Sequence, residues 1–492
     1  MRMLVTTFAG IIASILATTS SSYLLPIAEC DLNMNLKEKG LLTAIPFLGM
    51  VISTLVSGYL IDTFGRIIFL KIGYSGIYVF TVFSAFSQNY ATFVAAKFGE
   101  GIFTGIANSG ILSLTSEFCH PDVRDRIMIF QSAFTAMAQI ICPAMAWGIL
   151  TQNWDWNPFG GAFVFRTWNW YLFAMSLWSL VGFLLYLTLP ESPKFLVTRE
   201  RYFEARNVLI KVYTENTGKA SDTFPYHDLW CKEITEQDTK PANKKSLLSE
   251  FRHQLLVGLR NMKPLVEIPY IVYFCILGIM LLVIVGIGDV LKIWFPQLST
   301  IVEHYNITEN QNLCTLLDKY TASEKLRLSN VANTTDENDV CVPQISGAET
   351  YINSIIIGLI SIIPYFVSGV IVNKVGKKCI LIMAAAICVC GIMGIRWALS
   401  ETMMVSLFSI DVAVLQTMKS LTQMVVIEAF PTTMRSVAMS LVIMLSRLGT
   451  LIGNIGFPIL LSKGCEVPFY TMAGLMLCVM VLAIFMPKKK EG

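Results

Sequence analysis

Lys97 and Glu100, Asp289 and Lys292, Asp411, Lys419 and Arg447 stand inside stretches of sequence that are otherwise long and apolar. A charge in such a place costs about 2.5–3.5 kcal/mol at the centre of a membrane-spanning helix, so each must be paired, hydrated or put to use. Two chemistries suit these residue types: holding a charged group of a small solute, and carrying a coupling ion. A carboxylate removed from water is a natural proton carrier, which makes Asp411 and Glu100 candidates for proton coupling, although sodium coupling or none fits the same residues. Lys97 with Glu100 and Asp289 with Lys292 are three positions apart, the spacing at which helical side chains neutralise each other. Asp411 has no base at that spacing and Arg447 lies near the middle of its apolar stretch. Either can take a charged substrate group, or they pair with each other across neighbouring helices. Glu100, Asp289, Asp411 and Arg447 are therefore the candidate substrate-binding or coupling residues. The hydroxyl-rich run Thr18 to Tyr23 and the pair Trp294 and Phe295 would also suit a polar organic ligand. For Trp294 an aromatic anchor at the membrane interface is the better reading, and for the hydroxyls close packing of small residues is the alternative.

The elements that position these residues repeat. Gly58, Asp62, Gly65 and Arg66 in GYLIDTFGR match Gly369, Asn373, Gly376 and Lys377 in GVIVNKVGK. Glu117 and Arg124 in EFCHPDVR match Glu428 and Arg435 in EAFPTTMR at the same offset, 311 residues (Arg66 to Lys377, Glu117 to Glu428). Glu100 and Asp411 fall in this register too, at equivalent depths of the two copies. Two like halves embedded in a membrane, with a site between them, are the sequence mark of a secondary transporter.

Composition agrees: 54% hydrophobic residues, 14% charged residues and a mean hydropathy of +0.60 exceed what one water-soluble core can hide. About twelve stretches reach the roughly 20 residues needed to cross a hydrocarbon layer. They lie near 4–28, 41–61, 68–88, 91–116, 127–150, 169–189, 267–296, 350–372, 379–399, 403–427, 436–461 and 468–486. An open sheet would leave backbone groups unsatisfied in lipid, so all are predicted as helices. The expected fold is an all-α multi-pass membrane protein with twelve transmembrane helices in two pseudo-symmetric six-helix bundles. Residues 1–190 form the first bundle, 191–265 a cytoplasmic connecting segment, and 266–492 the second bundle with an external or luminal loop at 297–349. The opening run after Arg2 reads as the first helix rather than a secretory signal, because it continues through Tyr23-Leu-Leu-Pro with no small-residue cleavage site.

Basic residues of short loops stay cytoplasmic. Arg66, Lys71, Arg124, Arg126, Lys374, Lys377, Lys378, Arg435 and the run Lys488 to Lys490 fall on one side, which puts both termini in the cytoplasm. RYFEARNVLIKVY, in the connecting segment, reads as an amphipathic helix along the membrane surface. The 297–349 loop, acidic in excess, carries the sequons at Asn306 and Asn333 on the opposite side. Cys314 and Cys341 share this loop in an oxidising compartment and are the expected disulfide; Cys30 and Cys465 lie on the same face, so another pairing stays open. Asp62 ends its helix where the dipole is itself negative, and needs a cation or another helix's amino end beside it. Asp62, Arg66, Glu117 and Arg124, with Glu428 and Arg435, are the candidate gating residues, a cytoplasmic latch that pairs in one conformation only. With Asn373 in place of an acid, the second-half latch should be the weaker.

LLPIAECDLNMNLKEKGLLTAIPFLGMVISTLVSGYLIDTFGR, PESPKFL at 190–196 and IEAFPTTMRSVAMSLVIMLSRLGTLIGN at 427–454 resemble the major facilitator superfamily. More narrowly they resemble its branch of synaptic vesicle glycoprotein 2-like and organic ion transporter-like proteins. The resemblance implies two six-helix bundles that rock about a central cavity lined by helices 1, 4, 7 and 10. Three departures stand out: Asn373 replaces the expected acid, Lys97 stands where sugar porters often carry Arg, and the amino-terminal tail is missing.

Enzyme chemistry finds no footing. There is no GxxxxGK[ST] loop for an ATP-driven pump, no HExxH, no zinc-spaced CxxC pair and no GxSxG elbow. Cys388-Val-Cys390 has the wrong spacing for a metal, so neither metal nor cofactor is expected, and Gly101-Ile-Phe-Thr-Gly105 suits close helix packing. The Lys488 to Lys490 tail is an anchor at anionic lipid, too short to argue for nucleic acid. The expected partners are the lipid bilayer, a small organic solute (organic ion or sugar-like) and a coupling proton or sodium ion. The expected function is transport by alternating access at the plasma membrane or an intracellular vesicle. The alternative is a non-transporting glycoprotein of the same fold that acts as a binding or trafficking partner through the 297–349 loop.

Overall fold

A computed structural model describes residues 2–119, 121–157, 164–226, 229–230, 265, 267–305, 312–333, 345–364, 375–431 and 434–486, with only the backbone at some helical positions. Asn306, Cys341 and Asn373 lie outside the described residues, as do the side chains of Asp62, Arg124, Asn333 and Arg435. The first six helices are α1 (Arg2–Leu24), α2 (Leu36–Phe64), α3 (Arg66–Ala85), α4 (Tyr90–Phe118), α5 (Pro121–Leu150) and α6 (Thr167–Leu187). Two shorter ones follow, α7 (Pro193–Thr198) and α8 (Tyr202–Thr217), and then α9 (Tyr270–Tyr305) and α10 (Leu313–Asn333). The chain continues through α11 (Ala348–Ile360), α12 (Lys377–Ile395), α13 (Glu401–Ala429), α14 (Arg435–Leu461) and α15 (Glu466–Ile484).

Local sequence explains where these helices begin and stop. Asn35 caps α2 by accepting from the Glu38 amide at 2.9 Å, while the Glu38 carboxylate accepts from the Asn35 amide at 2.8 Å, a reciprocal capping box. Asn89 and Ser400 cap α4 and α13 in the same one-sided way. Gly65 separates α2 from α3 at φ +112, a conformation that side chains resist. Nine helices among the described residues are long and apolar enough to cross a membrane; Phe134–Leu150 and Ala348–Ile360 are shorter apolar helices. Large apolar side chains such as Ile52, Leu55, Phe83, Ile387 and Val481 face outward, as lipid requires of a multi-pass membrane protein.

Helices pack closely where small residues remove bulk. In the first half α2 and α3 lie on α4, and α6 on α1 and α3; in the second, α9 lies on α13 and α14, and α12 on α13 and α15. A Cβ on Gly101 would stand 2.1 Å from the Pro46 carbonyl oxygen of α2, and one on Gly449 would stand 2.0 Å from the Leu282 carbonyl oxygen of α9. Only glycine lets these backbones approach so far. The halves meet along α1 with α9, α2 with α14, and α5 with α11.

Within the loop expected at 297–349, the described residues are mostly helical. α9 runs past Pro296 to Tyr305, and Thr300 bonds back to the Pro296 carbonyl at 2.8 Å. α10 then buries Leu313, Leu316, Leu317 and Tyr320, an i, i+3, i+4, i+7 stripe. The disulfide is corrected accordingly: Cys314 bonds to Cys465, 151 residues away, and not to Cys341. Its cause is the docking of α10 on the start of α15, where Asp318 accepts from the Cys465 amide at 2.9 Å and Lys325 donates to the Ser462 carbonyl at 2.7 Å. Cys30 is disulfide-bonded as well. Trp294 is corrected too: it is fully buried and donates to Asn454 at 3.2 Å, so it is no interfacial anchor.

Candidate functional site

Three groups of polar residues stand out, at the two ends of the bundles and at mid-helix. The first is at the end where α1 begins. Arg66 Nη2 sits 2.9 Å from Glu117 Oε1, joining α3 to α4 with both side chains nearly buried. Lys377 pairs with Glu428, joining α12 to α13 in the same way but more exposed. These are the residues that the 311-residue register aligns, so the repeat in sequence is a repeat in ion pairing. The pairs described here stay within one half each.

Glu191, which the sequence reading quoted in a motif without giving it a task, organises the first of these pairs. Its carboxylate accepts from the backbone amides of Arg66 at 3.0 Å, Ile67 at 3.1 Å and Ser192 at 3.0 Å. It thereby fills the amino end of α3 with negative charge, where the helix dipole favours it. A Cβ on Gly65 would come within 2.6 Å of that carboxylate, and the Arg66 guanidinium lies 4.9 Å from the centre of the Phe195 ring. A Cβ on Gly376, the counterpart of Gly65, would meet nothing within 4 Å among the described residues. Lys377 was also missed, although its alignment with Arg66 was the available signal.

The second group lies at mid-helix, with Lys97, Glu100 and Asp411 buried and the charged residues around Asp289 half-buried. Lys97 Nζ lies 3.1 and 3.0 Å from the two Glu100 oxygens, and also reaches Ser20 at 3.3 Å and the Ala17 carbonyl at 3.4 Å. Thr81 donates to Glu100 at 3.1 Å. In the second half Phe408 takes the place of Lys97 in the register, and Asp411 that of Glu100. Asp411 turns toward α12, where a Cβ on Gly391 would come within 2.1 Å of it, and neither of its oxygens has a hydrogen-bond partner among the described residues. The structure does not pair Asp411 with Arg447. Arg447 instead belongs to a cluster where α9, α13 and α14 converge. There Asp289 pairs with Lys292 at 3.0 Å, accepts from Thr450 at 2.8 Å, and feels the charges of Lys419 and Arg447. One turn from Lys419, Gln416 donates across the halves to Gln139 of α5 at 3.2 Å.

The third group closes the opposite end. Lys39 is wholly buried against Glu29 at 2.6 Å and donates to Tyr320 of α10 at 3.3 Å. Glu324 of α10 accepts from the Leu36 amide, at the amino end of α2, at 2.8 Å. α10 is thus tied covalently to the second half and by hydrogen bonds to the first. Trp168 and Arg166 both bond Asp31 beside it.

The sequence profile of the Major Facilitator Superfamily matches residues 7–418. Synaptic vesicle glycoprotein 2A of Rattus norvegicus is 31% identical over 195 residues, which is 39% of this chain and 26% of that relative. Synaptic vesicle glycoprotein 2B of Homo sapiens is 29% identical over 196 residues, 40% of this chain and 29% of that relative. The matched region is therefore less than a third of either relative's length. Among solved structures, the inward-open xylose transporter of E. coli superposes with a TM-score of 0.66 at 15% identity, over 99% of this chain and 96% of that one. A D-xylose-proton symporter superposes with a TM-score of 0.62 at 16% identity, over 100% and 98% of the two chains.

Proposed function

The chain belongs to the major facilitator superfamily, and from that premise we propose that it is a secondary transporter of a small organic solute, working by alternating access rather than as an enzyme. The observation that carries the reading is the half-buried charge set at the junction of α9, α13 and α14, beside the bond that crosses the seam between the halves. Asp289, Lys292, Lys419 and Arg447 gather there, and Lys419 is one turn along α13 from Gln416, whose bond to Gln139 crosses the seam. A helix bundle kept only as a scaffold has no reason to hold such charges at mid-membrane depth. Residues 1–190 and 266–492 are the moving bundles and 191–265 their connecting segment. Asp289 and Arg447 lie at the substrate site; Glu100 and Asp411, which face α3 and α12, act in coupling, with a proton as the coupling ion. Asp62, Arg66, Glu117, Arg124, Glu428 and Arg435 form the gating collar, which lies in the cytoplasm with both termini. The membrane is the plasma membrane or a vesicle, and Asn306 and Asn333 carry glycans on its other side.

The test is uptake of pooled labelled organic cations, anions and sugars by cells displaying the chain. Beside them stand cells displaying a Gln139→Cys, Gln416→Cys variant whose halves are tied by a short bifunctional thiol reagent. Accumulation that the tie arrests is the expected result. Folded chain at the surface that accumulates nothing would overturn transport in favour of a binding or trafficking role.

A further inference from the structure

Sixteen residues, 151–166, join α5 to α6, whereas four, 462–465, join α14 to α15. Two antiparallel helices need no more than the short connection to turn back on each other, so the longer one in the first half has length to spare. It also carries a chemistry that Ser462-Lys463-Gly464-Cys465 lacks. Asn153, Trp154, Asp155 and Trp156, with Trp170 from the first turn of α6, line an open cavity of about 590 Å³. This cavity belongs to the α5–α6 connection, not to the junction of α9, α13 and α14.

The backbone around it is braced. Trp156 and Phe165 exchange backbone hydrogen bonds at 2.9 and 2.8 Å, and the Trp154 amide donates to the Thr167 hydroxyl at 3.1 Å. Gln88, between α3 and α4, holds the Val164 backbone through both ends of its amide, each at 3.2 Å. Phe165 is buried and meets the Trp170 ring edge-on with centroids 4.7 Å apart, and Trp156 lies 6.4 Å from Trp170. Trp154 and Trp156 nonetheless remain 49% and 56% exposed, so they are held in place without being spent on a core. Asp155 brings the only formal charge among the five lining residues, and it makes neither a hydrogen bond nor an ion pair among the described residues. Arg166, the base of the same connection, is committed to Asp31.

An indole presents a negative face and is the best aromatic partner for a cation. A primary ammonium keeps its water, but a quaternary ammonium has no N–H to hydrate and gains more from aromatic walls. An anchor at the membrane interface would need the indoles but no carboxylate among them. A sugar would ask for more hydrogen-bonding groups than Asn153 and Asp155 offer. We propose that the α5–α6 connection binds a quaternary ammonium group, with Trp154, Trp156 and Trp170 as its aromatic walls and Asp155 as its counter-charge.

Saturation-transfer NMR tests this on the full chain in octaethylene glycol dodecyl ether micelles, which contain neither a quaternary ammonium nor a sugar. The probes are choline, its neutral isostere with carbon in place of nitrogen, and glucose. The expected result is a saturable signal at the choline methyls, stronger than that of the isostere. Trp154→Ala and Trp156→Ala should each weaken choline binding on the order of fivefold, Trp156→Phe should recover part of the loss, and Asp155→Asn should weaken it severalfold. Equal melting of all variants shows that the bundle is intact. No saturable choline signal, an isostere that binds as well as choline, variants that leave binding unchanged, or a signal from glucose alone would each overturn the proposal. The titration repeated in nanodiscs separates two sources of the group. Choline binding that survives in both phosphatidylcholine and phosphatidylglycerol assigns the site to a free solute, and binding lost only in phosphatidylcholine assigns it to the lipid headgroup. Binding lost in both would overturn the site in a membrane.

Discussion

Glu100 and Asp411 occupy one position of the repeat, and the structure predicts opposite responses to the same kind of substitution. Glu100→Gln removes the charge from a carboxylate whose two oxygens lie 3.1 and 3.0 Å from Lys97 Nζ, with all three atoms out of contact with solvent. What remains is a buried ammonium facing Ser20, the Ala17 carbonyl and a neutral amide oxygen in place of the carboxylate. Breaking a buried pair in this way costs about 3–5 kcal/mol. Asp411→Asn removes the charge from a carboxyl group that has no hydrogen-bond partner among the described residues and Phe408 where Lys97 would be. No cation is stranded, so the change should stay within about 1 kcal/mol. Both variants, with the wild type, would be purified in detergent and melted while tryptophan fluorescence is followed. The Glu100→Gln midpoint should fall well below the wild type and the Asp411→Asn midpoint should stay close to it. A Lys97→Met, Glu100→Gln double variant should regain most of the loss, because replacing both members of a buried pair is far cheaper than stranding one. Equal midpoints for the two single variants, or a larger fall for Asp411→Asn, would refute the reasoning.

Glu191→Ala should destabilise the first half by about 1–2 kcal/mol, since the amide donors at the start of α3 lose a charged acceptor; hydrogen exchange at Arg66 and Ile67 should quicken while exchange at Lys377 does not. Cys465→Ser should release α10 from α15 without unfolding the bundles, so protease sites between 313 and 333 should become cleavable while the helical circular dichroism changes little; unchanged protection would mean that the hydrogen bonds to Cys465 and Ser462 suffice. Gly449→Leu should block folding or cut surface yield severalfold, because its Cβ would stand 2.0 Å from the Leu282 carbonyl oxygen, whereas Gly474→Leu, with nothing near it, should be tolerated.

Much of this architecture was legible in the residues, and what escaped has a common cause. The repeat was visible because its charges pair within each half, so Arg66–Glu117 and Lys377–Glu428 constrain one another at fixed spacing. Lys97–Glu100 and Asp289–Lys292 were visible because they are neighbours on one helix turn. The partner of Cys314 was not, because it depends on where α10 docks, and two candidate cysteines on one face give no distance. α10 itself could have been read from Leu313, Leu316, Leu317 and Tyr320, had the sequons and acidic residues around that stripe not suggested an irregular loop. For Asp411 and Trp294 sequence gives the depth in a helix but not the side, and the side is what puts one against α12 and the other against Asn454.

Where the two halves differ is as telling as where they agree. A duplicated bundle supplies two bodies of like shape whose helices can close on either end, and the matched ion pairs at one end give both bodies the same hardware. Identical halves, however, would place identical charges about the seam and offer a solute the same groups from both sides. The departures fall unevenly: the first half neutralises its buried acid with Lys97 and ties its collar to the connecting segment through Glu191, while the second leaves Asp411 alone and gathers Lys419 and Arg447 around Asp289. Among the described residues the first half thereby pairs its mid-depth charges, and the second holds the unspent ones. α10 is bonded covalently to the second half, and it meets the first through hydrogen bonds from Lys39 and the Leu36 amide, so the half that carries the charge also carries the cover over its own end. In the alternating-access cycle proposed above, opening that end would break at least those two hydrogen bonds while the disulfide holds, so the expected motion is a parting of α2 from α10 rather than an unfolding of α10.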